Sequence, residues 1–145
     1  MTLATLPEWA ARLLADGRVG RLGFADADGH PRVLPITYAV VGDAVWSAID
    51  QKPKRSGSEP ARVRWLRSTP EAALVVDHYS DEWDELAWVQ LLGRVEVLGN
   101  EAGEEALTAL TEKYPQYRVA PPPGPLLRME VGRALWWRAR EEAGA

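Results

Sequence analysis

The sequence predicts a mainly β domain of the α+β kind, an antiparallel barrel with a few short flanking helices. Three observations predict it. Seven short segments with strand character are separated by Gly, Pro and Asp turn signals. Helical periodicity is confined to three brief stretches. There is no internal repeat and no strand–helix–strand alternation of the doubly wound kind, and closing an antiparallel sheet on itself removes exposed edges. At 145 residues the chain is one domain's worth, so a single domain over residues 1–145 is expected.

The elements follow in order. Thr5-Leu6-Pro7-Glu8 reads as a capping box with proline near the helix start, and Asp16-Gly17 as the stop, giving a helix from about Leu6 to Ala15. Leu6, Trp9, Ala10, Leu13 and Leu14 form its apolar stripe. Three strands come next: Val19 to Ala25, Arg32 to Val41 and Ala44 to Ile49. Turns at Asp26–His30 and Gly42-Asp43 join them as a three-stranded meander. Gln51 to Glu59 is loop, and Ser58 with Pro60 opens a short helix to about Arg67, ended by Thr69-Pro70. Ala72 to Tyr79 is a strand. An acidic connection from Ser80 to Glu85 leads to a long strand, Leu86 to Leu98, with a bend expected at Gly93. Ala102 to Lys113 is an amphipathic helix, and Tyr114 to Pro125 a proline-rich loop. Two last strands, Leu126 to Val131 and Ala134 to Ala139, are joined at Gly132-Arg133.

Composition narrows the function. With no cysteine, disulfides, thiolate metal sites and a cysteine nucleophile are excluded, and a reducing, cytoplasmic setting is expected. Trp9, Leu13 and Leu14 are interleaved with Glu8, Arg12 and Asp16, which fits a folded helix and not a signal peptide. No apolar run approaches the roughly 18 residues of a membrane span. A net charge of −4 argues against general nucleic-acid binding. Against that balance, Lys52, Lys54, Arg55, Arg62, Arg64 and Arg67 crowd one stretch with a single acid, Glu59. A basic island on an acidic protein points to a small anionic ligand.

The loop Gln51 to Ser58, running into a helix start, is the most informative local feature. A helix N-terminus offers free N–H groups and partial positive charge to a phosphate. Lys52, Lys54 and Arg55 add donors nearby; a solvated basic loop is the alternative reading. Other constellations are weaker. His30 and His78 have no partner at ligand or triad spacing, and Asp81, Glu82, Asp84 and Glu85 read as a solvated acidic loop, so no metal site is expected. There is no P-loop, dinucleotide fingerprint or nucleophile elbow. Trp136 and Trp137 adjoin in a strand and point to opposite faces. One is expected inside the barrel, the other against a partner subunit.

Taken in order along the chain, several of these segments resemble the pyridoxamine 5'-phosphate oxidase-like split-barrel superfamily of flavin and deazaflavin proteins. They are Gly17 to Ala25 after the opening helix, Gly29-His30-Pro31 through Pro35-Ile36-Thr37-Tyr38, and Ala44 to Asp50 running into Lys52-Pro53-Lys54-Arg55. The closing Leu135-Trp136-Trp137-Arg138 completes the likeness. Within the superfamily the sequence is most similar to the actinobacterial, coenzyme F420-dependent branch.

The resemblance implies an FMN-binding-type split β-barrel that works as a homodimer on a small-molecule substrate, with neither nucleic acid nor membrane as partner. It implies a ring cradled by Arg32, Val33, Leu34, Pro35 and Ile36 on one strand and Ser47, Ala48 and Ile49 on another. The cofactor phosphate would lie against Lys52, Lys54 and Arg55, with Arg62 on the next helix. Gln90 and Trp137, or its neighbour Arg138, would close the site from the second subunit. The chemistry implied is hydride transfer, with the cofactor carrying the reactive atom. Tyr38, His78 and Tyr79 are the nearest options for a general acid, and each reads as structural. Coenzyme F420 differs from FMN by a lactyl-oligoglutamate tail, which Arg62, Arg64 and Arg67 are suited to hold; an FMN-dependent enzyme and a non-catalytic carrier are the alternatives. On a helix Arg64 and Arg67 lie about 60° apart and Arg62 about 160° from Arg64, so the three cannot all face one ligand.

Overall fold

The computed structural model describes residues 3–49 and 59–140. A 3-10 turn, Leu3–Thr5, precedes α1 (Glu8–Asp16). Then come β1 (Gly20–Ala25), β2 (Pro31–Ile36), β3 (Ala39–Val41), β4 (Ala44–Ala48), α2 (Ala61–Ser68) and β5 (Glu71–His78). The chain continues through β6 (Ala87–Leu98), α3 (Glu104–Lys113), α4 (Gln116–Val119) and β7 (Leu126–Arg138). All seven strands form one antiparallel sheet in the order β2-β1-β5-β6-β7-β4-β3.

That order forces the sheet to curl. Edge strands β2 and β3 would stand about 29 Å apart in a flat seven-stranded sheet. Yet only Thr37 and Tyr38 separate them in sequence, and three residue steps reach about 11 Å. The two edges must therefore approach, and the sheet closes into a barrel through a covalent link. No ladder joins β2 to β3, so the barrel is split along that seam. The split barrel implied by the resemblance is what forms.

The link also overturns the expected meander. Arg32 to Val41 is not one strand: β1–β2 and β3–β4 are separate hairpins at opposite edges of the sheet. The backbone leaves the ladder because side chains satisfy it. The Tyr114 hydroxyl accepts from the Tyr38 N–H (3.2 Å), and the Ser47 hydroxyl donates to the Thr37 carbonyl (2.7 Å). Tyr38, wholly buried, donates its own hydroxyl to the Leu14 carbonyl at the end of α1.

Three further expectations are corrected. The N-cap of α1 is Pro7 and not Thr5, and the buried Leu3 and Leu6 draw the preceding turn into the core. The C-terminal pair of strands is one 13-residue strand. Leu92 faces Arg133 and Gly93 faces Val131, which leaves Gly132 as the extra residue of a bulge and not a turn. The β6–β7 register shifts between Leu92 and Gly93, and a Cβ at Gly93 would run into the Glu130 backbone carbonyl. Finally, neither Trp136 nor Trp137 is inside: they are 40% and 45% exposed. The loop from Tyr114 to Pro125 holds one helical turn, α4, pinned by the buried Tyr117.

Inside the barrel, Leu22, Leu74, Val89, Leu91, Leu127 and Met129 pack with α1 and α2 against the open ends. The void that Leu22, Val45, Leu74, Leu127 and Met129 line among the described residues is only about 10 Å³, the size expected of a packed core and not of a ligand channel. A second cluster under α3 gathers Trp46, Leu110, Tyr114, Tyr117 and Leu126. Among the described residues, no helix is long and apolar enough to cross a membrane.

Candidate functional site

The split creates a cleft. Trp46 is the last residue of β4 with a β3 partner, while Ser47 and Ala48 pair only with β7. Where β4 outruns β3, a cavity of about 340 Å³ opens between the ends of β2 and β4. Leu34, Pro35 and Ile36 form one wall, Ser47, Ala48 and Ile49 the other. Val19, Thr37 and Leu127 complete the lining, with Arg62 from the first turn of α2.

The walls are mostly apolar, which makes the polar groups conspicuous. The Arg62 Nε is buried and has no hydrogen-bond partner. A guanidinium N–H without an acceptor costs free energy unless a ligand supplies one. The first N–H groups of α2 also lack intrahelical partners. Ser47 and Thr37 are tied to each other through the Thr37 carbonyl, and the Thr37 hydroxyl lies 2.6 Å from that of Tyr117.

Behind the Thr37–Tyr38 link stands a cluster of titratable groups. The Lys113 amine lies 3.8 Å above the Tyr38 ring centroid and 5.3 Å from that of Tyr114, and its Nζ is buried without a hydrogen-bond partner. Burial, followed by the nearby Arg18 charge and opposed by Asp16, pulls the Lys113 amine down to about 8. Burial pushes both the Tyr38 and Tyr114 phenols up, so they stay neutral as hydrogen-bonding groups.

Of the basic island, Lys52, Lys54 and Arg55 lie outside the described residues. The three helix arginines divide as helix geometry requires. Arg62 lines the cleft, whereas Arg64 donates to the Glu59 carbonyl and Arg67 pairs with the Glu59 carboxylate at 3.1 Å. Arg67 also borders a second groove of about 480 Å³, with Arg94 and Arg128 across it.

Arg32 and Val33 are not at the cleft. Arg32 stacks on Trp65 (4.9 Å) and pairs with Asp26 (3.1 Å), towards the far end of β2. Val33 is 65% exposed on the outer face of the sheet. That face is continuous across five strands: in register, Val33, Gly23, Ala73, Leu92 and Arg133 form one row, and Pro35, Arg21, Val75, Gln90 and Leu135 the next. Trp88 and Trp137 pair directly below them. Gln90 and Trp137 therefore sit on this outer face, not in the cleft of their own chain, while Arg138 stacks on Trp9 at 5.0 Å.

His30 does acquire carboxylate neighbours, since donor atoms of Asp26, Asp28 and His30 fall within 4.8 Å of one another. Sequence spacing did not suggest it. The grouping is a turn device: Asp26 accepts the N–H groups of His30 and Asp28 and holds Arg32, and these bonds, the His30 N–H foremost, lower its pKa. Val19, Thr37 and Leu127 are lining residues that the sequence reading did not single out. Only Thr37 carried a signal, as the polar residue where an apolar run ends.

Comparisons with known proteins follow the architecture. A family model for pyridoxamine 5'-phosphate oxidase matches residues 7–141. Similar solved structures include a conserved hypothetical protein from Mycobacterium tuberculosis, 20% identical over 94% of this chain and 87% of that one, with a TM-score of 0.76. A FAD-binding protein from Mesorhizobium loti is 22% identical over 94% and 95% of the two chains, with a TM-score of 0.67. An F420 reductase is 19% identical over 90% and 98%, with a TM-score of 0.64. At such identities the likeness speaks for the fold, a mainly β split barrel. No curated protein matches the sequence. The match to the family model spans nearly the whole chain, and the chain belongs to the pyridoxamine 5'-phosphate oxidase family.

Proposed function

We propose that this protein is an oxidoreductase that holds coenzyme F420 in the cleft at the barrel's split and acts on a small organic substrate as a homodimer. The observation that carries the reading is the buried, unpartnered Arg62 Nε on a residue that lines, with Ser47, Thr37 and seven apolar residues, a cavity of about 340 Å³. Apolar walls suit a flat ring, and a guanidinium donor suits the phosphate that follows it. A flavin or deazaflavin supplies two-electron, hydride-transfer chemistry. This chain's part is to orient the ring between the ends of β2 and β4, exclude water with Leu34, Ile36, Ile49 and Leu127, and anchor the anion at Arg62. Lys52, Lys54 and Arg55 belong to the same proposal as further phosphate donors.

The groove bordered by Arg67, Arg94 and Arg128 favours F420 as a place for an oligoglutamate tail, although Glu96 and Glu130 on the same lining offset part of its positive charge. FMN is the second reading, favoured by the engagement of Arg64 and Arg67 with Glu59, which leaves fewer free cations for a tail. The outer sheet face supports the dimer: Val33, Trp88, Leu135 and Trp137 lie on it among the polar Arg21, Asp77, Gln90 and Arg133, a mixed surface that suits a partner subunit. Gln90 and Trp137 would then meet the second subunit's cleft.

Fluorescence titration of the purified protein with F420 and with FMN, across a range of salt, tests the cofactor. Saturable F420 binding with a steeper salt dependence than FMN supports the leading reading. Equal slopes with tighter FMN binding transfer the assignment to FMN, and binding of neither removes the cofactor reading. Sedimentation at micromolar concentration tests assembly, where a 16.1 kDa species alone would remove the dimer.

A further inference from the structure

We propose that Ser47 determines which edge of a ring the cleft accepts, by receiving a ring N–H on its hydroxyl oxygen. The inference deepens the cofactor reading and rests on it. Ser47 is 5% exposed, the one buried non-aromatic polar side chain among the described residues. Its position is set by β4: Val45 and Ile49, two residues to either side, both belong to the barrel core. The hydroxyl therefore lies where the core meets the cleft, and Ser47 lines both the cleft and the small internal void.

A serine hydroxyl has one hydrogen and two lone pairs. The hydrogen is committed, since Ser47 Oγ donates to the Thr37 carbonyl at 2.7 Å across the split. What remains is acceptor capacity alone. Around it stand Ile36, Val45 and Leu127, which offer no side-chain donor. The Thr37 hydroxyl is 2.6 Å from that of Tyr117. The other uncommitted polar group of the lining, Arg62 Nε, is a donor.

The cleft thus pairs a buried acceptor with a separate buried donor. Its complement is a flat apolar body with an N–H at one place and an anionic oxygen at another. A ring carbonyl set against Ser47 would oppose lone pair to lone pair in a low-dielectric site, where such mismatches are costly. An amide- or imide-type ring N–H satisfies it. Flavins and deazaflavins both carry an imide N–H on the pyrimidine part of the ring, flanked by carbonyls. The inference therefore assigns the end of the ring that meets β4.

A cycle on ligand and protein together tests it. The probes are FMN, 5-deaza-FMN and their N3-methyl derivatives, titrated against the full chain and against Ser47→Ala. For the unmodified chain, N3-methylation should weaken binding about 2- to 12-fold, the span of one neutral hydrogen bond. Ser47→Ala should weaken the parent ligands similarly, and methylation should then cost Ser47→Ala little or nothing more. Ser47→Cys keeps the side-chain size with a poorer acceptor and should fall between the two, which keeps the test available if alanine loosens the split. Independent, multiplying effects of methylation and substitution would overturn the inference, as would methylation without effect on the unmodified chain. If F420, FMN and 5-deaza-FMN all fail to bind the unmodified chain, the cofactor reading itself fails and this inference falls with it; if F420 binds, methylation without effect still overturns the inference alone.

Discussion

Lys113 makes the stability of this protein rise with pH where most proteins are level or falling. Its amine sits among the Tyr38 and Tyr114 rings without a hydrogen-bond partner, and burial draws it down to about 8. An unfolded lysine titrates near 10.4. Between those values the unfolded chain binds more protons than the folded one, so raising the pH favours folding across that window. The full shift would correspond to about 3 kcal/mol. Lys113 is only half-buried, and its cation–π contacts favour the charged form, so a gain on the order of 1 kcal/mol is expected. For a chain of this size that is about 3–5 °C in melting temperature. Asp16 and Arg18 are the other charges facing the amine. Tyr38 and Tyr114 act in the opposite direction, because their raised values remove stability as pH climbs above about 10. Thermal melts at pH 7.5 and 9.5 therefore isolate Lys113. The unmodified chain should melt higher at pH 9.5, relative to Lys113→Met measured alongside. Identical pH dependence in the two proteins would refute the reasoning.

Gly93→Ala should destabilise by at least about 2 kcal/mol, because its Cβ meets backbone that cannot step aside. Gly132→Ala, whose Cβ would sit 3.7 Å from the nearest carbonyl, should cost far less; denaturant midpoints that rank the two the other way would discredit the bulge geometry. Tyr38→Phe leaves the Leu14 carbonyl without its hydroxyl donor and should cost about 1–3 kcal/mol in the same assay, whereas a change under about 0.5 kcal/mol would mean the bond contributes little. Arg62→Met should raise the melting temperature of the ligand-free protein while weakening cofactor binding, since it deletes a buried donor that only a ligand would satisfy. A lower melting temperature would show that the arginine serves the fold instead.

Much of the architecture was legible because it depends on local signals. Alternation marked the strands, Asp28-Gly29 and Gly42-Asp43 marked the two hairpins, and Gly93 marked the place where the β6–β7 register shifts. What misled was information that no short window holds. Arg32 to Val41 is β-branched and apolar throughout, so it reads as one strand. Its interruption at Thr37-Tyr38 depends on Tyr114 and on Ser47, one of them 76 residues away from Tyr38 in sequence. Gly132 gave a turn signal and formed a bulge, because β6 continues past it and offers pairing on both sides.

The same logic explains why the cleft was only partly legible. Leu34 to Ile36 and Ser47 to Ile49 come from two hairpins that meet only because the sheet curls, and Arg62 reaches them from a third element. The hydrogen bond from Ser47 to Thr37 holds the split at its narrow end, and it also uses up the hydrogen that would have made Ser47 a donor. Fold and selectivity therefore share one hydroxyl. Filling the cleft by extending β3 would pair the edge and remove the cavity, while separating β2 from β3 entirely would lose the wall that carries Ile36. The two-residue link is the connection that keeps the barrel joined and the cleft open.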